Sequence, residues 1–184
     1  MAFKIVLTGG PSSGKTSLTK ELKNFFSVEA HVCQEAAEML FRGGFPRQDW
    51  PEGLKNRQYA IFHLQRALEN IALDTCNDAK YLFFDRGLLD GLCYWPEDIA
   101  SFTDIMQIDP SQVYKRYDLV IQLGVAHQED YQNSPVRTED IQTSLAMEQK
   151  LKDIWSPHPN YIFIPYNPDW NIKRQKTLEL IRSL

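Results

Sequence analysis

Five short apolar runs, separated by longer segments of mixed polarity, dominate the pattern along this chain. The runs are rich in Val, Ile, Phe and Tyr, and each has the length of a buried strand: Phe3–Leu7, Val28–Cys33, Tyr81–Phe84, Leu119–Leu123 and Tyr161–Ile164. The longer segments between them are amphipathic, as helices are. Strands that alternate with helices predict an α/β domain with a parallel sheet, whose ligand lies at the carboxyl ends of the strands.

The first run leads directly into the glycine-rich stretch Gly9–Thr16, spelled GGPSSGKT, and a helical pattern follows it. Glycines let the backbone approach a ligand, consecutive N–H groups form a nest for an anion, and Lys15 adds a positive charge. These are the features of a P-loop that binds ATP, with the Thr16 hydroxyl on Mg²⁺. We expect the nucleotide to contact Gly9, Gly10, Ser12, Ser13, Gly14, Lys15, Thr16 and Ser17.

Glu35 follows the second run at the start of a predicted helix. A carboxylate at this strand exit would face the phosphate site. The alternative is an ordinary acidic residue in the first turn of a helix, where negative charge is favourable. The residues alone leave both interpretations open.

Asp85 and Arg86 directly follow the third run. A carboxylate at the tip of an apolar strand can hold Mg²⁺, directly or through water, beside the Thr16 hydroxyl. Arg86 would then reach a transferring or accepting phosphate, and a helical segment after it brings Asp90 to the same edge. The alternative is a strand-ending turn with a surface ion pair.

A polar segment, approximately residues 126–140, contains Arg137 shortly before another predicted helix. We interpret it as a lid that opens for nucleotide exchange and brings the arginine to the phosphates on closing. The alternative is a solvated loop whose arginine pairs locally. On the long helix predicted from about Leu54 to about Cys76, Gln58 and Gln65 could read a base, although polar residues on such helices are usually solvated.

Composition narrows the class of protein. The 184 residues, 43% of them hydrophobic, suit a single domain over 1–184. A net charge of −4 argues against duplex nucleic acid as a partner. The three cysteines show no metal-binding spacing, and no apolar run has the length of a signal peptide core or a membrane span, so we expect a cytoplasmic protein.

With these landmarks, the chain resembles P-loop kinases of the nucleotide-kinase type. It is most similar to the small "AAA-domain" kinase-like family, which is related to nicotinamide riboside kinase domains, deoxynucleoside kinases and thymidylate kinases. The resemblance implies a three-layer P-loop NTPase fold with a five-stranded parallel sheet in the order 2-3-1-4-5, helices on both faces and a lid. It also implies catalytic roles for Lys15, Glu35, Asp85, Arg86 and Arg137, with Mg²⁺ held by Thr16 and Asp85.

The resemblance has limits that bear on function. Deoxynucleoside kinases pair Glu-Pro with Glu-Arg-Ser, whereas this chain has Glu35-Ala36 and Asp85-Arg86-Gly87, which argues against a deoxynucleoside acceptor. We therefore expect a kinase that transfers the γ-phosphoryl group of ATP to an unidentified small molecule, such as a nucleoside, nucleotide or vitamin-like alcohol. The alternative is an ATPase or nucleotide-sensing module without such an acceptor. A homodimer is left open.

Overall fold

A five-stranded parallel sheet forms the centre of the molecule. The computed structural model describes residues 2–76, 78–126 and 141–183. The strands are β1 (Phe3–Thr8), β2 (Ala30–Cys33), β3 (Tyr81–Asp85), β4 (Leu119–Leu123) and β5 (Tyr161–Ile164). They pair in the order β2-β3-β1-β4-β5, with every neighbouring pair parallel. The predicted fold class and strand order are confirmed.

The helices connect these strands. They are α1 (Lys15–Phe26), α2 (Ala36–Arg42), α3 (Pro51–Thr75), α4 (Ile99–Met106), α5 (Pro110–Tyr114), α6 (Ile141–Trp155) and α7 (Trp170–Arg182). Local sequence explains several of their starts, because Pro51 and Pro110 lie in the first turn of their helices and the Asp98, Asp109 and Asp169 carboxylates cap theirs. Within the described residues, no helix combines the length and apolarity needed to cross a membrane.

Two predicted elements differ from the structure. Val28 does not belong to β2, because residues 27–29 form a 3₁₀ turn between α1 and β2 and leave its side chain 89% exposed. These three residues are the whole connection between α1 and β2, so they form the turn and cannot extend the strand. The helical segment expected after Arg86 is a 3₁₀ helix, Asp90–Tyr94. The carboxylate of Asp90, its first residue, accepts a hydrogen bond from the Gly87 N–H and so tightens the turn.

The core lies on both faces of the sheet because side chains alternate along each strand. Val6 and Phe84 pack on one face with Trp155, whereas Leu7 and Phe83 pack on the other with the apolar side of α1. Strands buried on both faces appear in the sequence as continuous apolar runs. This arrangement fixes the strand ends that carry the candidate site.

We expect Phe83→Ala to lower the free energy of unfolding by about 3–5 kcal/mol, because the substitution leaves a cavity in the centre of the sheet. Ile71→Ala is the control, since its side chain is 57% exposed on α3 and should change stability by no more than about 0.5 kcal/mol. Urea denaturation of the two variants tests the difference. Equal losses would mean that the sheet core is assigned wrongly.

Candidate active site

The glycine-rich stretch connects the end of β1 to the start of α1, as a P-loop does. Gly14 precedes α1 with a φ of 87°, and a Cβ on it would lie 2.7 Å from the Trp170 ring. Gly9 has a φ of 150°, and a Cβ on it would lie 2.6 Å from the carbonyl oxygen of Leu123. Both positions therefore require glycine, for backbone conformation and for space.

Lys15 is folded back onto its own loop. Its Nζ donates to the carbonyl oxygens of Gly9 (2.6 Å) and Gly10 (3.3 Å), and its side chain is almost fully buried. Burial, with a contribution from the positive charge of Arg86, lowers the pKa of Lys15 to about 8. Thr16 and Ser17, by contrast, are exposed at the start of α1. The first N–H groups of that helix have no intrahelical acceptors, so they suit an anion.

Glu35 and Arg86 meet at the exits of β2 and β3. Arg86 Nε donates to Glu35 Oε1 at 2.7 Å, and both side chains are largely buried. Burial alone would raise the pKa of Glu35, but the charges of Arg86 and Lys15 outweigh it and lower that pKa. Glu35 is therefore ionised at neutral pH. It lies at the N-cap position of α2, but its side chain makes no capping hydrogen bond.

Asp90 is the buried carboxylate behind this pair. It accepts hydrogen bonds from Thr8 Oγ1 (2.6 Å), Trp155 Nε1 (2.8 Å) and Arg86 Nη1 (3.5 Å). The position of Asp90 at this edge was predicted from the sequence, but its contacts with Thr8 and Trp155 were not, because these residues are distant in the chain. Together these contacts fix one side of the Arg86 guanidinium.

Asp85 ends β3 opposite Leu7 of β1, close to the P-loop. Its Oδ1 atom is buried and has no hydrogen-bond partner among the described residues. Burial raises the pKa of Asp85 to about 6. An unpartnered carboxylate oxygen beside a phosphate-binding loop fits a Mg²⁺ site, and Thr16 is the other residue that would hold the ion.

The described residues contain no group of three or more His, Cys, Asp or Glu side chains that could hold a metal. This is compatible with Mg²⁺, which is commonly bound by one or two protein groups together with substrate phosphates and water.

Gln65, which the sequence offered as a possible base reader, lines a cavity and has its amide hydrogen-bonded within the protein. Its Oε1 accepts from the Ala36 N–H (3.3 Å), while its Nε2 donates to the Arg86 carbonyl (3.1 Å) and to Glu69 (3.3 Å). One buried amide on α3 thus joins the backbones that carry Glu35 and Arg86. Sequence periodicity could not distinguish this internal contact from a solvated or ligand-facing one.

A cavity of about 570 Å³ opens beside this pair. Its lining includes Glu35, Arg86 and Asp90 from the charged cluster, Arg57 and Gln58 of α3, and the apolar side chain of Phe62. Its volume is in the range of small-molecule sites. Arg137 and residues 127–140 of the predicted lid lie outside the described residues.

The comparisons with known proteins agree with this architecture. Residues 4–171 match the family described as the AAA domain. The chain belongs to the AAA domain family. No curated protein matches the sequence.

Solved structures similar to this AAA domain include nucleotide and nucleoside kinases. Thymidylate kinase from Candida albicans has a TM-score of 0.68 at 12% identity, over 99% of this chain and 92% of that one. Thymidylate kinase from Ehrlichia chaffeensis has a TM-score of 0.66 at 12% identity, over 98% of both chains. Deoxyadenosine kinase from M. mycoides with bound dATP has a TM-score of 0.69 at 13% identity, over 98% of this chain and 100% of that one. At these identities, the likeness establishes a shared fold.

We expect Asp85→Asn to stabilise the metal-free protein at pH 8. A folded-state pKa of about 6, above the ordinary 3.8, means that the folded protein binds the proton more tightly and loses stability as pH rises between these values. Removing the charge should therefore increase the free energy of unfolding by up to about 3 kcal/mol at pH 8, and the gain should fade below about pH 4.

Urea denaturation in EDTA at pH 4 and pH 8 measures this effect. The control is Asp104→Asn on the exposed face of α4, which should change stability by less than about 0.5 kcal/mol. A loss of stability in Asp85→Asn at pH 8 would contradict the burial of an unpartnered charge.

Proposed function

We propose that this protein is a small-molecule kinase that transfers the γ-phosphoryl group of ATP to an acceptor in the 570 Å³ cavity. One observation carries the proposal: the ion-paired side chains of Glu35 and Arg86 belong both to the cavity wall and to the charge cluster around Lys15 of the P-loop. A phosphate donor on the loop and an acceptor in the cavity would therefore meet at this pair. The nucleotide-kinase fold of the similar structures supports the same reaction class.

In the proposed reaction, an acceptor oxygen forms a bond to the γ-phosphorus while the bond from that phosphorus to the β-phosphate oxygen breaks, and ADP leaves. The N–H groups of the loop and the cations of Lys15 and Arg86 stabilise the charge on the transferring group. Glu35 accepts a hydrogen bond from an acceptor hydroxyl and takes its proton as the new bond forms. Thr16 and Asp85 would hold Mg²⁺, which would supply positive charge to neutralise the phosphates.

Gln58, which also lines the cavity, suits an acceptor with a hydrogen-bonding edge. The Gln58 side chain is only 4% exposed, and it makes no hydrogen bond to any described residue. An amide in this position can donate and accept at once, which suits a base or a carboxamide. Arg57 also lines the cavity, and its Nη1 lies 3.5 Å from an Asp49 carboxylate oxygen.

We expect ATP consumption to depend on an added acceptor. The assay follows ADP formation, and mass spectrometry identifies the phosphorylated product, across pools of nucleosides, nucleoside monophosphates and vitamin-like alcohols. Lys15→Ala serves as the inactive control, because it removes the loop cation where charge accumulates. ADP formation that no acceptor pool stimulates would favour the alternative, an ATPase or nucleotide-sensing module.

We expect Glu35→Gln to lower acceptor-dependent turnover by about a hundredfold while the affinity for a non-hydrolysable ATP analogue stays within about threefold. The variant keeps a hydrogen-bonding group but cannot accept the proton. The matched control is Glu38→Gln on the same helix, whose carboxylate forms an exposed ion pair with Arg42 and should not affect turnover. Loss of analogue binding in Glu35→Gln would instead assign Glu35 to the nucleotide site.

A further inference from the structure

A second buried lysine, Lys173 of α7, contacts the P-loop from behind. Its Nζ donates to the carbonyl oxygen of Ser13 at 2.7 Å and to that of Gly124 at 2.8 Å. Its side chain is 3% exposed, so it is not open to a ligand in solution. Lys173 therefore joins the middle of the P-loop to the end of β4.

The contact with Ser13 determines how one peptide group of the loop is oriented. No peptide bond among the described residues is cis, so the Ser13 carbonyl and the Gly14 N–H point in opposite directions from their shared peptide plane. A cation that holds the carbonyl on one side directs the N–H to the other. Among the described residues, none accepts a hydrogen bond from the Gly14 N–H. This N–H is the donor that immediately precedes α1, where anions are favoured.

The rest of α7 supports the same arrangement. The Trp170 ring lies against Gly14 on the side where a Cβ would be, so the peptide cannot easily rotate in that direction. Burial lowers the pKa of Lys173 to about 8, although the nearby Glu148 carboxylate of α6 acts in the opposite direction. An uncharged apolar side chain would avoid this cost, but it would leave two buried carbonyls without a donor.

We propose that Lys173 is a positioning residue of the phosphate site, which holds the Ser13–Gly14 peptide so that the Gly14 N–H faces the bound phosphates. The proposal rests on nucleotide binding at the P-loop, which the proposed function shares, and not on phosphoryl transfer. Lys173 acts through the loop backbone, because both of its hydrogen bonds are to carbonyl oxygens of the protein. The proposal therefore predicts an effect on phosphate binding without any contact to the base.

The test is isothermal titration calorimetry with two probes, a non-hydrolysable ATP analogue with Mg²⁺ and inorganic tripolyphosphate with Mg²⁺. We expect Lys173→Met to lower the affinity for both probes by a similar factor of about tenfold. This factor corresponds to the free energy of one charge-assisted hydrogen bond. The matched control is Arg174→Met, because Arg174 also ties α7 to α1, through Glu21 at 2.8 Å, but does not contact the loop. It should leave both affinities within about twofold.

A spectroscopic measurement separates positioning from general destabilisation. In ¹⁵N-labelled protein, Lys173→Met should move the Gly14 amide resonance, whereas Arg174→Met should not. If Lys173→Met does not fold, Lys173→Gln retains two N–H donors and should weaken both probes by at least about threefold.

Three results would overturn the proposal: unchanged affinity of the Lys173 variants for both probes, weakening for the ATP analogue alone, or an unmoved Gly14 resonance. If the wild-type protein binds neither probe, the assignment of nucleotide binding to the P-loop is overturned, and the proposed function with it. If the wild-type protein binds both probes and the Lys173 variants bind them with the same affinity, only the inference about Lys173 is overturned.

Discussion

The hydrogen-bonded ion pair between Arg86 and Glu35 is the interaction on which the geometry of the site depends. Arg86 occupies a left-handed backbone conformation, with a φ of 76°, which non-glycine residues seldom adopt. Its N–H donates to the Leu7 carbonyl and its own carbonyl accepts from Gln65, so the conformation is fixed from both sides. The guanidinium is thereby directed at the exit of β2, where it donates a hydrogen bond to Glu35 at the start of α2. Two strand ends and one long helix are joined through a single residue.

The charged groups around this pair include two that burial disfavours, Lys15 and Asp85. Burial disfavours the charged forms of both Lys15 and Asp85, as the lowered pKa of the first and the raised pKa of the second indicate. A polyphosphate would bring negative charge to Lys15, and a divalent cation would bring positive charge to Asp85. Functional sites often store unfavourable electrostatics of this kind, because the ligand relieves them on binding.

The sheet and the P-loop were predictable because their signals are local. A continuous apolar run marks a strand buried on both faces, and the spacing from Gly9 to Thr16 marks a phosphate cradle regardless of what surrounds it. The proximity of Glu35, Asp85 and Arg86 was predictable because parallel strands end at one edge of the sheet. The role of Gln65 was not predictable, since a buried amide and a solvated one look alike on a helix. Val28 was assigned to a strand by its apolar side chain, although the short turn after α1 exposes it.

The contact between Lys173 and Ser13 spans 160 residues of the sequence, so the P-loop is joined to a helix that follows it far along the chain. During synthesis, β1 and the loop emerge from the ribosome long before α7 exists. Until α7 docks, the Ser13 carbonyl has no cation behind it and Gly14 has no ring beside it. A chain in translation therefore carries the P-loop sequence before these contacts can form, and the Ser13–Gly14 peptide gains them only when α7 has been made and packed.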